Sequence, residues 1–182
     1  MKKTLTTQNS ELRTHETVLL DETVDGLSLK AGATAIDATV GTGGHSEKIS
    51  GILGKKGTLL VLDLDENSLT RSRARLENAP GKVVYVQGNF RNIKKLATDA
   101  GITNAEGIVF DLGWHSEQLA AGRGLSFKSD EPLLMTLGTG EGHLYTAKDI
   151  IKDWDEEEIA KIIREYGEER FSGRIARVIV EE

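Results

Sequence analysis

The chain contains no cysteine among its 182 residues. Disulfides, thiolate zinc sites and cysteine nucleophiles are therefore excluded together, and a reducing compartment such as the cytoplasm is expected. Long apolar runs are also missing: none approaches the roughly 20 residues that a membrane-spanning helix requires. The stretch Met1–Ser10 carries two lysines with no apolar segment behind them, so it reads as a frayed polar arm rather than a secretory signal. Basic residues are not in surplus. The 23 Lys and Arg against 29 Asp and Glu leave a net charge of −6, which argues against a large phosphate-binding footprint. Local clusters occur at Arg71, Arg73 and Arg75 and at Arg91, Lys94 and Lys95, and a solvated helix face is the plainer reading of both. Repeats and low-complexity tracts are absent as well. What is present, 38% hydrophobic and 29% charged residues, is the composition of an ordinary globular chain long enough for one domain, or one domain with an appendage.

Strand-like and helix-like segments alternate through the first half. Ala35–Thr39 predicts a short strand, and a glycine-rich bend follows it, with a helix from about His45 to Leu53. Thr58–Asp63 is a continuous apolar run ending in an acid, as suits a strand buried on both faces. Glu66–Asn78 predicts a helix, Pro80-Gly81 a turn, Val83–Gln87 a third strand, Arg91–Ala100 a third helix closed by Gly101, and Gly107–Leu112 a fourth strand. This alternation is the signature of a parallel sheet with right-handed crossovers, whose functional residues gather at the carboxyl ends of the strands. Those ends carry Asp37, Asp63 and Asp111.

From Gly113 the rhythm changes. Gly113–Gly142 has no clear strand and contains Gly122, Gly124, Gly138, Gly140 and Gly142, as expected of either a functional loop or a disordered stretch. Two helices are expected after it. The first starts at Asp153 with Glu156 three residues on, resembling a capping box, and carries Ile159, Ile162, Ile163 and Tyr166 on one stripe. The second carries Phe171, Ile175, Val178 and Ile179 on one face and reaches Glu182 without a capping signal, which predicts that the polypeptide is cut short.

The bend itself, Asp37-Ala38-Thr39-Val40-Gly41-Thr42-Gly43-Gly44-His45, sits where a strand passes into a helix. Glycines there admit close approach of a ligand to the backbone, and the helix start turns free N–H groups toward it. Alone, such a bend is equally well a tight turn. Asp63 adds specificity: it ends the next strand, where folds of this kind place an acid for ribose hydroxyls. Together they point to a cofactor bearing adenosine. Asp37 would suit the cationic parts of S-adenosylmethionine, whereas a nicotinamide cofactor needs a phosphate site, and the Gly41-Thr42-Gly43-Gly44 turn lacks the final spaced glycine of the dinucleotide fingerprint.

A fuller set of motifs occurs in one order: His15–Leu20, Asp37–Ser46, Asp63-Leu64-Asp65, Gly88-Asn89-Phe90, Asp111-Leu112-Gly113, Ser116–Leu119, Arg123-Gly124-Leu125-Ser126-Phe127 and Tyr166–Arg170. The chain, from about His15 to Val180, closely resembles the bacterial small-subunit ribosomal RNA methyltransferase H family, whose members make N4-methylcytidine in 16S ribosomal RNA with S-adenosylmethionine. The resemblance implies donor contacts at Gly43, Gly44 and His45, and at Asp63, Phe90, Asp111 and Gln118. Asp63 would hold the ribose, Phe90 would pack on the adenine face unless it is a plain core residue, and Gln118 would offer its amide to the donor's polar end. His45 would act through its backbone more than its ring. Asp111 is the candidate catalytic acceptor for the exocyclic amine of the target base. No metal is expected.

The implied fold is α/β, a Rossmann-like S-adenosylmethionine-dependent methyltransferase fold with an incomplete parallel sheet and part of a helical insert domain. Residues 1–112 would form the cofactor-binding half, and 113–182 the substrate loop and the start of the insert. The implied substrate is 16S ribosomal RNA or the small ribosomal subunit, in the cytoplasm, with no membrane partner. The chain departs from the family at Trp114 (usually small), at His115-Ser116 (usually two serines), and at Leu133–Leu137 (usually Leu-Asp-Met-Arg-Met). It also lacks the remaining helices and last strands. A fourth strand left unpaired at an edge predicts a homodimer or another partner there, or a fragment of limited activity. Readings kept alongside are a methyltransferase with another substrate and a non-catalytic donor-binding protein.

Overall fold

The computed structural model describes residues 17–114, 119, 122–137 and 144–182. Gln118, the arm Met1–Ser10, His115-Ser116 and Gly138, Gly140 and Gly142 lie outside the described residues. In chain order the elements are α1 (Leu20–Gly26), β1 (Thr34–Asp37), α2 (Gly44–Leu53), β2 (Thr58–Asp63), α3 (Glu66–Arg75), β3 (Lys82–Gln87), α4 (Ile93–Asp99), β4 (Gly107–Val109), α5 (Ala147–Asp153), α6 (Glu156–Glu165) and α7 (Ser172–Glu181).

The four strands are all parallel and lie in the order β3-β2-β1-β4. The order reverses at β1, so the crevice beyond its carboxyl end is the switch point where such sheets bind ligands. This is a Rossmann-like sheet. Its two faces divide by strand parity. Ala35, Leu59, Val61 and Val109 pack with Val24, Ile49, Leu53 and Leu69, which belong to α1, α2 and α3. Ile36, Leu60 and Leu62 pack on the other side with Ala97 of α4 and with Ile102. Both central strands are therefore covered twice, which is why β2 reads as an unbroken apolar run.

β4 ends three residues earlier than the apolar pattern predicts. Its partner β1 stops at Asp37, paired with Val109, and among the described residues no neighbour continues the ladder. Phe110, Asp111 and Leu112 consequently leave the strand as an exposed segment. β4 lies at one edge of the sheet as expected, and its Ile108 and the following Phe110 are exposed.

Among the described residues three helices, not two, follow the strap of residues 122–137. α5 begins with a complete capping box in which Thr146 accepts from the N–H of Asp149 and Asp149 accepts from that of Thr146. The predicted box at Asp153 and Glu156 does not form. Asp153 ends α5, Trp154 is extended, and Asp155 caps α6 by accepting from Glu158 N. α6 and α7 make an antiparallel pair closed by Gly167, and Ile159, Ser172 and Ala176 are buried. In α7 the small residues Ser172 and Ala176 are buried, Ile179 is half-buried, and Phe171, Ile175 and Val178 are exposed. Among the described residues no helix is long and apolar enough to cross a membrane.

The basic clusters are largely engaged locally. The Arg73 guanidinium lies 4.1 Å from the Tyr85 ring centroid, Arg75 Nε donates to Glu47 at 2.7 Å, and Lys95 pairs with Asp99 one helical turn on.

Candidate active site

A cleft of about 720 Å³ opens at the carboxyl ends of β1, β2 and β4. Its floor is the β1–α2 bend, folded by short hydrogen bonds: Gly43 N donates to Val40 O at 2.7 Å, and Val40 N to Leu62 O at 2.9 Å. Gly43 caps α2 with φ 87°, a left-handed conformation that disfavours any other residue. A Cβ on Gly44 would fall 1.8 Å from Thr17 Oγ1, so the hydrogen side chain there lets the 17–19 segment close over the bend.

Asp63 faces the cleft from the end of β2. Gly41 N donates to its Oδ2 at 3.0 Å and Asp65 N to its Oδ1 at 2.9 Å. These two backbone donors fix the plane of the carboxylate against the bend. Asp111 enters from the segment after β4 and is held at its backbone, where its N–H donates to Thr39 Oγ1 at 2.7 Å. Its carboxylate is 55% exposed, and Oδ2 lies 3.9 Å from His45 Nδ1. The His45 ring is nearly buried, and its Nε2 has no hydrogen-bond partner among the described residues. A buried orphan nitrogen is uncommon in a folded protein and marks a place where a further polar group fits.

Asp37 is placed differently from the expectation. It lies beneath the bend at 1% exposure and does not line the cleft. Ser46 Oγ donates to its Oδ2 at 2.6 Å and Thr39 N to its Oδ1 at 3.2 Å. Burial pushes its carboxyl above the ordinary carboxylate range, against the lowering effect of those bonds, and the charge of Asp63 adds to the rise. Gly43 likewise turns the chain without lining the cleft, where Gly44 and His45 do both. Phe90 sits at the rim, partly exposed, with its ring edge-on to Phe110 at 5.7 Å, so it is not a core residue.

Sequence reasoning missed Thr39, Trp114 and Leu137. Thr39 ties the segment after β4 to the bend, and its position two residues past Asp37 at a strand end was the available signal. Trp114 lines the cleft while 68% exposed, and Leu137 adds part of the wall from a distant segment. Among the described residues that line the cleft, the charged ones are Asp63 and Asp111, with the His45 imidazole near Asp111, and there is no lysine or arginine. Such a lining repels phosphates and favours a cation. No group of three or more His, Asp or Glu among the described residues is placed to hold a metal ion.

The chain is 46% identical over 169 residues to a protein of Brevibacillus brevis named ribosomal RNA small subunit methyltransferase H, covering 92% of this chain and 53% of that protein. A Paenibacillus protein of the same name is 42% identical over 174 residues, covering 92% of this chain and 54% of that one. Another, from Symbiobacterium thermophilum, is 41% identical over 167 residues, covering 91% and 52%. The chain thus spans about half the length of the curated relatives it matches. The model of the MraW methylase family matches residues 12–182, and the chain belongs to that family.

Proposed function

We propose that this chain binds S-adenosylmethionine in the cleft and belongs to an enzyme that methylates the exocyclic N4 of a cytidine in 16S ribosomal RNA, in the cytoplasm. The observation that carries the reading is the cleft at the switch point of the sheet, which among the described residues offers carboxylates and no basic side chain. S-adenosylmethionine matches it: a ribose with two hydroxyls, an apolar base, and cationic sulfonium and ammonium groups, without phosphate. When bound, it supplies an electrophilic methyl carbon.

In this reading Asp63 accepts from the ribose hydroxyls, and its two backbone donors keep it oriented for them. Phe90 covers an adenine face with its exposed ring. Gly44 and His45 present the start of α2 to the donor's polar end, and Gly43 sets the bend that brings them there. Gln118 is assigned to the same end by the family resemblance. Asp37 acts from beneath, holding Thr39 and Ser46. Asp111 accepts a hydrogen bond from the cytosine amine, whose lone pair is delocalised into the ring. Pulling on that N–H turns the lone pair outward for attack, and holding the amine in line contributes the larger share of the rate. The target base reaches the cleft unpaired or flipped from its stack, and Trp114 offers it an aromatic wall.

Calorimetry with S-adenosylmethionine tests the donor site, with saturable one-to-one binding expected. Tritiated methyl transfer to small-subunit RNA then tests the reaction. Binding without transfer would leave a donor-binding protein, and absence of both would refute the reading.

A further inference from the structure

We infer that Arg123 is a positioning residue for the cleft: its guanidinium pins the 122–137 strap to the start of α3 and, through Asp65, holds the Asp63 carboxylate in register with the donor's ribose. The inference rests on the donor-site reading above. Arg123 is only 8% exposed, and Nη2 lies 3.6 Å from Oδ2 of Asp65, itself 2% exposed. A guanidinium this buried needs its counter-ion, because an unpaired charge would be strongly disfavoured there.

Asp65 divides its groups among three tasks. Oδ1 accepts from Asn67 N at 3.1 Å and caps α3, Oδ2 faces Arg123, and its own N–H donates to Asp63 Oδ1 at 2.9 Å. A shift of Asp65 therefore moves a donor that fixes the ribose carboxylate. On the other side, Arg123 gathers the strap. Nη1 donates to Thr136 O at 3.3 Å, and Arg123 O accepts from Met135 N at 2.7 Å. Gly124, at φ 72°, crosses so close that a Cβ would stand 2.6 Å from Pro132 O. The strap continues into the helical part, since Leu134 O and Leu133 O accept from Ala147 N and Lys148 N at the start of α5. Its last described residue, Leu137, lines the cleft. One side chain thus joins the cleft wall, the start of α5 and the ribose carboxylate.

The test uses Arg123→Met, Arg123→Lys, Asp65→Asn and the double variant Arg123→Met/Asp65→Asn. Hydrogen exchange on the ligand-free chain should show the 122–137 amides exchanging at least tenfold faster in Arg123→Met, with β1 and β2 unchanged. Calorimetry with S-adenosylhomocysteine should show at least tenfold weaker binding, partly recovered in Arg123→Lys. The double variant should bind no worse than the weaker single one. The loss should shrink for the 2′-deoxy analogue of the same ligand, which a merely structural role would not produce. Unchanged strap exchange, unchanged affinity, multiplying single losses, or an equal loss for the 2′-deoxy ligand would each overturn the inference. Should Arg123→Met not fold, Arg123→Lys carries the same comparison, with smaller losses in the same pattern. A wild-type chain that binds neither S-adenosylmethionine nor S-adenosylhomocysteine would instead refute the donor-site reading and the ribose step with it, while strap exchange still decides the pin.

Discussion

Replacing Asp63 with asparagine separates the two tasks of one carboxylate. In the wild type each oxygen accepts a backbone N–H, from Gly41 at 3.0 Å and from Asp65 at 2.9 Å. Asparagine keeps one acceptor oxygen and turns the other into an NH2 donor facing a backbone donor. One part-buried N–H then loses its partner, at a cost of about 1–3 kcal/mol. For chains of this size each kcal/mol shifts the melting temperature by about 2–4 °C, so ligand-free Asp63→Asn should melt roughly 2–12 °C below wild type. Binding should suffer separately. Losing a charge-assisted hydrogen bond to a ribose hydroxyl costs about 1.5–3 kcal/mol, which is about 10- to 150-fold in Kd. Differential scanning fluorimetry without ligand and calorimetry with S-adenosylmethionine read the two effects. A variant that melts as wild type would show that Gly41 and Asp65 do not hold this carboxylate. One that melts lower yet binds the donor fully would refute the ribose assignment.

Asp111→Asn should keep donor affinity within a few-fold while lowering methyl transfer by about 10²- to 10⁴-fold, the usual range for a lost proton acceptor; transfer at the wild-type rate would remove Asp111 from the chemistry. Asp37→Asn should act in the opposite sense on the ligand-free fold. Its folded pKa is raised by burial, so its contribution to stability is full below the unfolded value and is lost as pH rises through the folded one. The variant should therefore melt above wild type at neutral pH and lose that part of the pH dependence, as a thermal titration upward from the ordinary value of 3.8 would show. Leu60→Ala, at a fully buried position of β2, should cost about 2–5 kcal/mol in urea unfolding.

Much of the first half was legible because its signals are local. β2 was bounded to the residue, since an apolar run between Gly57 and Asp63 has only one register that buries both faces. The errors came where a pattern needs a partner to be interpreted. The apolar residues after Val109 continue a strand pattern, but β1 ends and no ladder can form. In α7 the larger apolar residues made the visible stripe, while close approach to α6 selected Ser172 and Ala176 for burial. α5 escaped notice at seven residues, although Thr146 and Asp149 carried a capping box that the spacing of Asp153 and Glu156 only imitated.

The site divides along the same line. The bend, its glycines and the acids at the strand ends are written in residues close together in sequence, because a parallel sheet delivers successive strand ends to one edge whatever the details of packing. The sequence also carried the family through the order of its motifs. It held nothing to say that Asp37 would turn beneath the bend while Asp63 faced the cleft, or that the His45 ring would bring Nδ1 within 3.9 Å of Asp111. It held no sign that Arg123 would reach Asp65, 58 positions earlier in the chain. Those are contacts between segments distant in sequence, settled only when the sheet, the strap and the helices competed for the same space.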